Sequence, residues 1–137
     1  MFSKVYSAGL QGIDGYPVQV EADVSTGLPG FHMVGYLASE VKEAEERVRT
    51  ALKNSGFSLT PRKITINLSP ADIRKDGTAF DLPVAVAVLT AYGITDPNVL
   101  ENSVFIGELG LDGKVKPVRG VLSLVCLLYT SPSPRDR

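Results

Sequence analysis

Apolar and polar positions alternate through YPVQVEADVS, with Val18, Val20, Ala22 and Val24 on one face and Gln19, Glu21 and Asp23 on the other. A period of two marks a half-buried strand. It pairs most simply as a hairpin with a first strand running from Phe2, through a turn at Gly12-Ile13-Asp14-Gly15. Leu28-Pro29-Gly30-Phe31 has proline and glycine at the central positions of a type II turn, and Phe31 to Val34 follows as a third short strand. This N-terminal part predicts a small antiparallel sheet.

The period then changes. Val41, Ala44, Val48, Ala51 and Leu52 make one apolar stripe, and Glu43–Arg47 and Glu45–Arg49 are i,i+4 pairs of the favourable order. With Ser39 as N-cap and Gly56 just past the end, the spacing predicts a helix over 39–54. Lys63 to Leu68 (KITINL) is a β-branched strand stopped by Pro70. DLPVAVAVLTAYG is apolar almost all round; Pro83 suits a first turn and Gly93 a stop, which predicts a buried helix. Ser103 to Leu109 and Lys114 to Lys116 flank Asp112-Gly113, a hairpin-turn dipeptide. A last helix is expected to begin near Val118.

A chain of 137 residues with 44% apolar and 21% charged residues has the length and composition of one globular domain. No window approaches the ~20 apolar residues of a membrane helix and no signal peptide is evident, so a cytoplasmic location with no membrane partner is the default. Lysine and arginine number 14 against 15 acidic residues, a balance that disfavours strong autonomous binding to nucleic acid. One cysteine, Cys126, and one histidine, His32, exclude an internal disulfide, a thiolate cluster and a multi-histidine zinc site.

The phosphate-binding pattern G-x-x-x-x-G-K-[ST] fails: the only Gly-Lys, Gly113-Lys114, is followed by Val115 and has Glu108 five positions before it. More informative is RKDGTAFD, Arg74 to Asp81, which enters the buried helix after KITINL. Together with GELGLDGKVKPVRG, Glu108 to Gly120, it resembles the proteolytic domain of Lon-type proteases, in which a KDG loop positions a serine at a helix start and a later lysine serves as base. Such a dyad needs a desolvated lysine able to take the serine proton. The resemblance puts Ala79 at the serine position and Leu122 at the lysine position, so it supports the fold and argues against peptidase activity.

Ser25 to Phe57 (STGLPGFHMVGYLASEVKEAEERVRTALKNSGF) and Pro61 to Leu89 (PRKITINLSPADIRKDGTAFDLPVAVAVL) match more closely still. They resemble the N-terminal domain of magnesium-chelatase-like AAA+ ATPases of the ComM/YifB type. The resemblance covers nearly all of residues 1–125. It implies an α/β (α+β) fold, Lon-like and ribosomal-protein-S5-domain-2-like, with a mixed sheet and two to three helices. It also implies a DNA motor for branch migration in natural transformation, a homo-hexamer whose DNA contact comes through the full protein. ATP and Mg²⁺ are expected for its ATPase module and none for residues 1–125, where no catalytic, cofactor or metal residue is assigned.

Within this reading Lys75, Asp76 and Gly77 are candidates for contact with a partner or for loop positioning, Asp76-Gly77 making the turn into the helix. Arg47, Arg49 and Lys53 lie among Glu43, Glu45 and Glu46 and read as a solvated helix face rather than a DNA patch. His32, between Phe31 and Met33, reads as a satisfied structural histidine rather than a base. A ribosome-like RNA-binding module is the remaining alternative, on fold analogy alone.

The end of the chain, CLLYTSPSPRDR, looks like an in-frame translation of a transposase-based sequencing adapter. Residues 126–137 are therefore expected to be a non-native, disordered tail and the domain to occupy 1–125. Without that tail, 12 basic residues face 14 acidic ones.

Overall fold

A computed structural model describes residues 1–11 and 14–117. The expected helix near Val118, Leu122 and the tail from Cys126 lie outside the described residues. β1 (Phe2–Gln11) and β2 (Asp14–Ser25) form the long antiparallel hairpin, Val5 opposite Val20 and Gly9 opposite Tyr16. β3 is Gly30–Val34, α1 Ser39–Lys42, α2 Ala44–Asn54 and β4 Lys63–Ser69; α3 (Asp81–Ala91), α4 (Pro97–Leu100), β5 (Glu108–Leu109) and β6 (Val115–Lys116) follow. The sheet order is β1-β2-β4-β3, and β5 and β6 make a separate two-stranded hairpin.

The N-terminal sheet is mixed rather than purely antiparallel. β3 does not pair with the hairpin; it runs parallel to β4, Phe31 beside Ile64 and Met33 beside Ile66. The physical reason is the connection: α1 and α2 carry the chain back to the end of the sheet from which β3 started, which a tight turn cannot do. β4 thereby takes the central place between β2 and β3.

The expected type II turn is also absent. Gly27 has φ +139°, whereas Gly30 is not among the positive-φ glycines and opens β3, donating its N–H to the Arg62 carbonyl at 3.3 Å. Ladder bonding to β4 requires extended backbone at Gly30, which excludes the conformation that turn needs.

Val18, Val20, Ala22 and Val24 face the core together with Val5, Ile64, Ile66 and Leu68. α3 covers this face. Eight of its eleven residues are buried because the sheet lies on one side and α2 on the other, which explains a sequence apolar all round. Val84 and Val88 are fully buried, and each burial contributes roughly 1.5–3 kcal/mol. Ser3 Oγ donates to the Ala87 carbonyl at 2.7 Å and pins β1 to the helix. α2 and α3 end alike: Phe57 N–H bonds Leu52 O and Gly56 N–H bonds Lys53 O, and Ile94 and Gly93 do the same with Leu89 and Thr90. These are Schellman ends, and they set the stops expected at Gly56 and Gly93.

The helix expected over 39–54 is interrupted at Glu43, and Ala38 rather than Ser39 holds the N-cap position. Arg47 Nη2 donates to the Glu40 carbonyl at 2.7 Å, the acceptor a continuous helix would offer to Ala44. The expected strand Ser103–Leu109 is likewise divided. Val104 bridges Tyr6 in parallel along the edge of β1, Gly107 bonds Ala79 and Leu82 near the start of α3, and only Glu108–Leu109 pairs with β6.

Candidate functional site

The segment between β4 and α3 holds the KDG loop, and four elements fasten it. Lys75 donates its backbone N–H to Tyr36 O and accepts from Ala38 N–H, both at 2.9 Å, so the loop zips onto the entrance to α1. The Lys75 side chain is fully buried. Its Nζ donates to the carbonyls of Pro70 and Ile73, the latter at 2.7 Å, and the loop winds around its own lysine. Burial lowers the pKa of this ammonium.

Gly77, at φ +78°, donates its N–H to Glu40 Oε2 at 3.0 Å, and that bond holds the Glu40 carboxyl below its ordinary value. Asp76 is exposed. Burial first, and the Asp76 charge second, push the Tyr16 phenol up. The candidate triplet thus splits: Lys75 lies inside the loop and Asp76 and Gly77 outside it. Of the two roles expected for Lys75, partner contact or loop positioning, its buried side chain bonded to the loop's own carbonyls fits loop positioning.

Asp81, in the first turn of α3, is fully buried. Arg47 meets it with Nε at 2.6 Å from Oδ2 and Nη2 at 3.0 Å from Oδ1, and Leu109 N–H reaches Oδ2 at 3.1 Å. Desolvation pushes the Asp81 carboxyl up against the pull of these donors, while its hydrogen bonds raise Arg47 and keep the guanidinium charged. Arg47 is therefore an internal clamp joining α1, α2 and α3, not part of a solvated face. The Glu43–Arg47 contact survives only as a 3.7 Å outer approach. Nothing in the helical period separates Arg47 from Arg49; the available signal was an aspartate inside an otherwise apolar helix, which demands a buried partner.

The chemistry at the helix entrance is spent on structure. Ala79, which the resemblance to Lon-type proteases sets at the serine position, carries only a methyl group, and its carbonyl accepts from Gly107 N–H at 2.9 Å. The neighbouring hydroxyl, Thr78 Oγ1, donates to Glu108 Oε1 at 2.6 Å. Lys75 is committed to carbonyls. Among the described residues no group of three His, Cys, Asp or Glu is placed to hold a metal, and no helix is long and apolar enough to cross a membrane. His32, read as a structural histidine rather than a base, stands exposed on β3 beside Thr65.

Arg49 and Lys53, the other cations of α2, line a groove at the opposite end of α3. Arg49 pairs with Glu45 at 2.8 Å and lies 5.8 Å from the centre of the Phe31 ring.

Residues 20–132 match the family model described as subunit ChlI of Mg-chelatase. The chain is 44% identical over 121 residues to YifB of Escherichia coli K12 and 41% identical over 121 residues to competence protein ComM of Haemophilus influenzae, covering 88% of this chain in each case. It spans about a quarter, 24%, of the length of these relatives. A more distant similarity, 28% identity over 116 residues, runs to 80% of this chain and 15% of the Lon protease of Mycolicibacterium smegmatis. The mixed sheet with helices on one face and this similarity agree on a Lon-like α/β fold.

Proposed function

The chain belongs to the magnesium-chelatase ChlI-subunit family, in its YifB and ComM branch, and from that membership we propose that it is the non-catalytic N-terminal domain of a longer AAA+ ATPase. In this reading the whole protein is a hexameric DNA motor that drives branch migration during natural transformation, in keeping with the competence protein among the relatives. ATP and Mg²⁺ serve its ATPase module, and residues 1–125 carry no active site.

The observation that carries this reading is a family match along nearly the whole chain by a stretch that spans only a quarter of its relatives. The KDG loop supports it. A loop that in a Lon-type enzyme would present a nucleophile is here closed by Lys75, Glu40, Thr78 and Asp81 into a rigid joint, with Ala79 where the nucleophile would be. Such a joint suits a domain that transmits or receives position within a ring.

Two measurements test the reading. Sequencing the genomic locus past Val125 is expected to show an in-frame G-x-x-x-x-G-K-[ST] segment downstream; its absence removes the motor. With the full-length protein, deleting residues 1–125 should impair hexamer assembly or migration of a synthetic four-way junction. A deletion that leaves both at full rate removes the domain's accessory role.

A further inference from the structure

A groove lies at the far end of α3 from the KDG loop. α3 is eleven residues long, so the two sites stand roughly 16 Å apart along its axis. The groove has a volume of about 600 Å³, within the ~300–1,000 Å³ of ordinary ligand pockets. Its walls are the start of β3, the C-terminal half of α2, the segment 57–62 and the end of α3.

The residues that line it sort by chemistry. Phe31, Phe57 and Tyr92 supply three half-buried aromatic rings, and Arg49, Lys53 and Arg62 supply three exposed cations. No aspartate or glutamate lines it. In a chain with net charge −1 this local excess of three positive charges is a departure from the average surface. Glu45 holds Arg49 through one bond but stands outside the groove. The Arg49 guanidinium stands 5.8 Å from the centre of the Phe31 ring, within cation–π range, so a cation and an aromatic face lie side by side in the groove. Tyr92 is fixed by its hydroxyl, which donates to the Thr60 carbonyl at 2.8 Å.

We propose that this groove binds single-stranded DNA, two or three nucleotides of it, with bases against the aromatic rings and phosphates on Arg49, Lys53 and Arg62. Rings that accept any base and cations that follow a backbone are the two parts such binding requires. An acidic peptide would use the cations but leave the rings without a planar partner. The assignment of DNA rests on the motor reading above and gives this domain a direct hold on a displaced strand.

Three phosphate contacts at ~0.7 counterions each give an expected slope of about −2 for log affinity against log salt, a weak and steeply salt-dependent interaction. The test is fluorescence anisotropy of the 137-residue chain with fluorescein-labelled dT12 at 20–200 mM salt. Beside it run an abasic strand of equal length and charge and polyglutamate as competitor. Binding of dT12 with a slope near −2, at least tenfold weaker binding of the abasic strand, and failure of polyglutamate to compete are expected. Lys53→Glu with Arg62→Glu, both exposed positions whose folding circular dichroism can check, should abolish binding. Equal affinity for dT12 and the abasic strand, equal competition by polyglutamate, or dT12 binding unchanged in the double variant overturns the proposal. So does the absence of dT12 binding at the lowest salt. Failure here leaves the motor reading standing, because that is judged separately on the full-length protein.

Discussion

Arg47 on α2 and Asp81 on α3 form a two-pronged pair, 2.6 and 3.0 Å between nitrogen and oxygen, with the carboxylate fully buried and the guanidinium mostly so. One bond set therefore fixes the interhelical distance, the break between α1 and α2 and, through Leu109, the position of the β5–β6 hairpin. Replacing Arg47 by Met would leave a buried carboxylate uncompensated. The expected cost is about 3–5 kcal/mol at neutral pH, read from the urea midpoint. Arg47→Lys should recover little of it, because an ammonium cannot satisfy both carboxylate oxygens and the Glu40 carbonyl in that geometry.

The same pair fixes a pH dependence. Burial already raises the Asp81 carboxyl above its unfolded value near 3.8, and removing Arg47 takes away the strongest opposing pull. A carboxyl raised in the folded state binds its proton more readily there than in the unfolded chain. Stability from this group must therefore rise as pH falls through the folded pKa toward the unfolded one. The Arg47→Met deficit is expected to shrink between pH 7.5 and pH 5, measured by thermal melting. A deficit of equal size at both values would show that Asp81 does not titrate with folding.

How far the fold could be read from the pattern of residues follows from which interactions are local. The β1–β2 face, the α2 stripe and both helix stops depend on neighbours within a turn or a pleat, and the residue pattern located each of them. The parallel placement of β3 did not show, because it depends on the path of the α1–α2 crossover and not on any residue of β3. The site divides the same way. Asp76-Gly77 as a turn was legible in two residues, whereas the destination of Lys75 and the pairing of Arg47 with a residue 34 positions away were not. α4 carries a purely local signal: Asp96 accepts from Asn98 N–H at 3.0 Å ahead of Pro97, an ordinary helix start.

Glu40 gives a local reporter of the KDG loop. Its carboxyl is lowered chiefly by the Gly77 N–H. A lowered acid favours the folded arrangement above its unfolded value near 4.5, and that preference disappears as pH falls through the folded pKa. The Gly77 amide resonance is expected to titrate with a midpoint below 4.5. In Glu40→Gln that titration should vanish while the rest of the spectrum keeps its dispersion. A Gly77 midpoint at or above the ordinary glutamate value would mean the tether does not form.

Serine-directed phosphonate probes should leave the chain unlabelled, and Ala79→Ser should not change this. Restoring the hydroxyl restores no base: Lys75 Nζ is occupied by Pro70 and Ile73, and the neighbouring Thr78 is held by Glu108. Covalent adduct at residue 79 in intact-mass spectra of the variant would show that a proton acceptor reaches the helix entrance after all.

Gly35 and Gly77 separate two costs that a glycine can avoid. Both have positive φ, +133° and +78°, so a side chain at either is conformationally strained. At Gly77 a Cβ meets nothing within 4 Å, and Gly77→Ala should cost only the left-handed backbone term, about 1–2 kcal/mol. At Gly35 the same atom would stand 2.8 Å from the Leu68 carbonyl oxygen, backbone of the central strand that cannot step aside. Gly35→Ala should therefore add a steric term to a strain of about 1–3 kcal/mol and exceed the Gly77 loss by at least ~1 kcal/mol. Urea denaturation of the two variants side by side measures the difference. Equal losses would mean that the β3–α1 connection relaxes around the new methyl group.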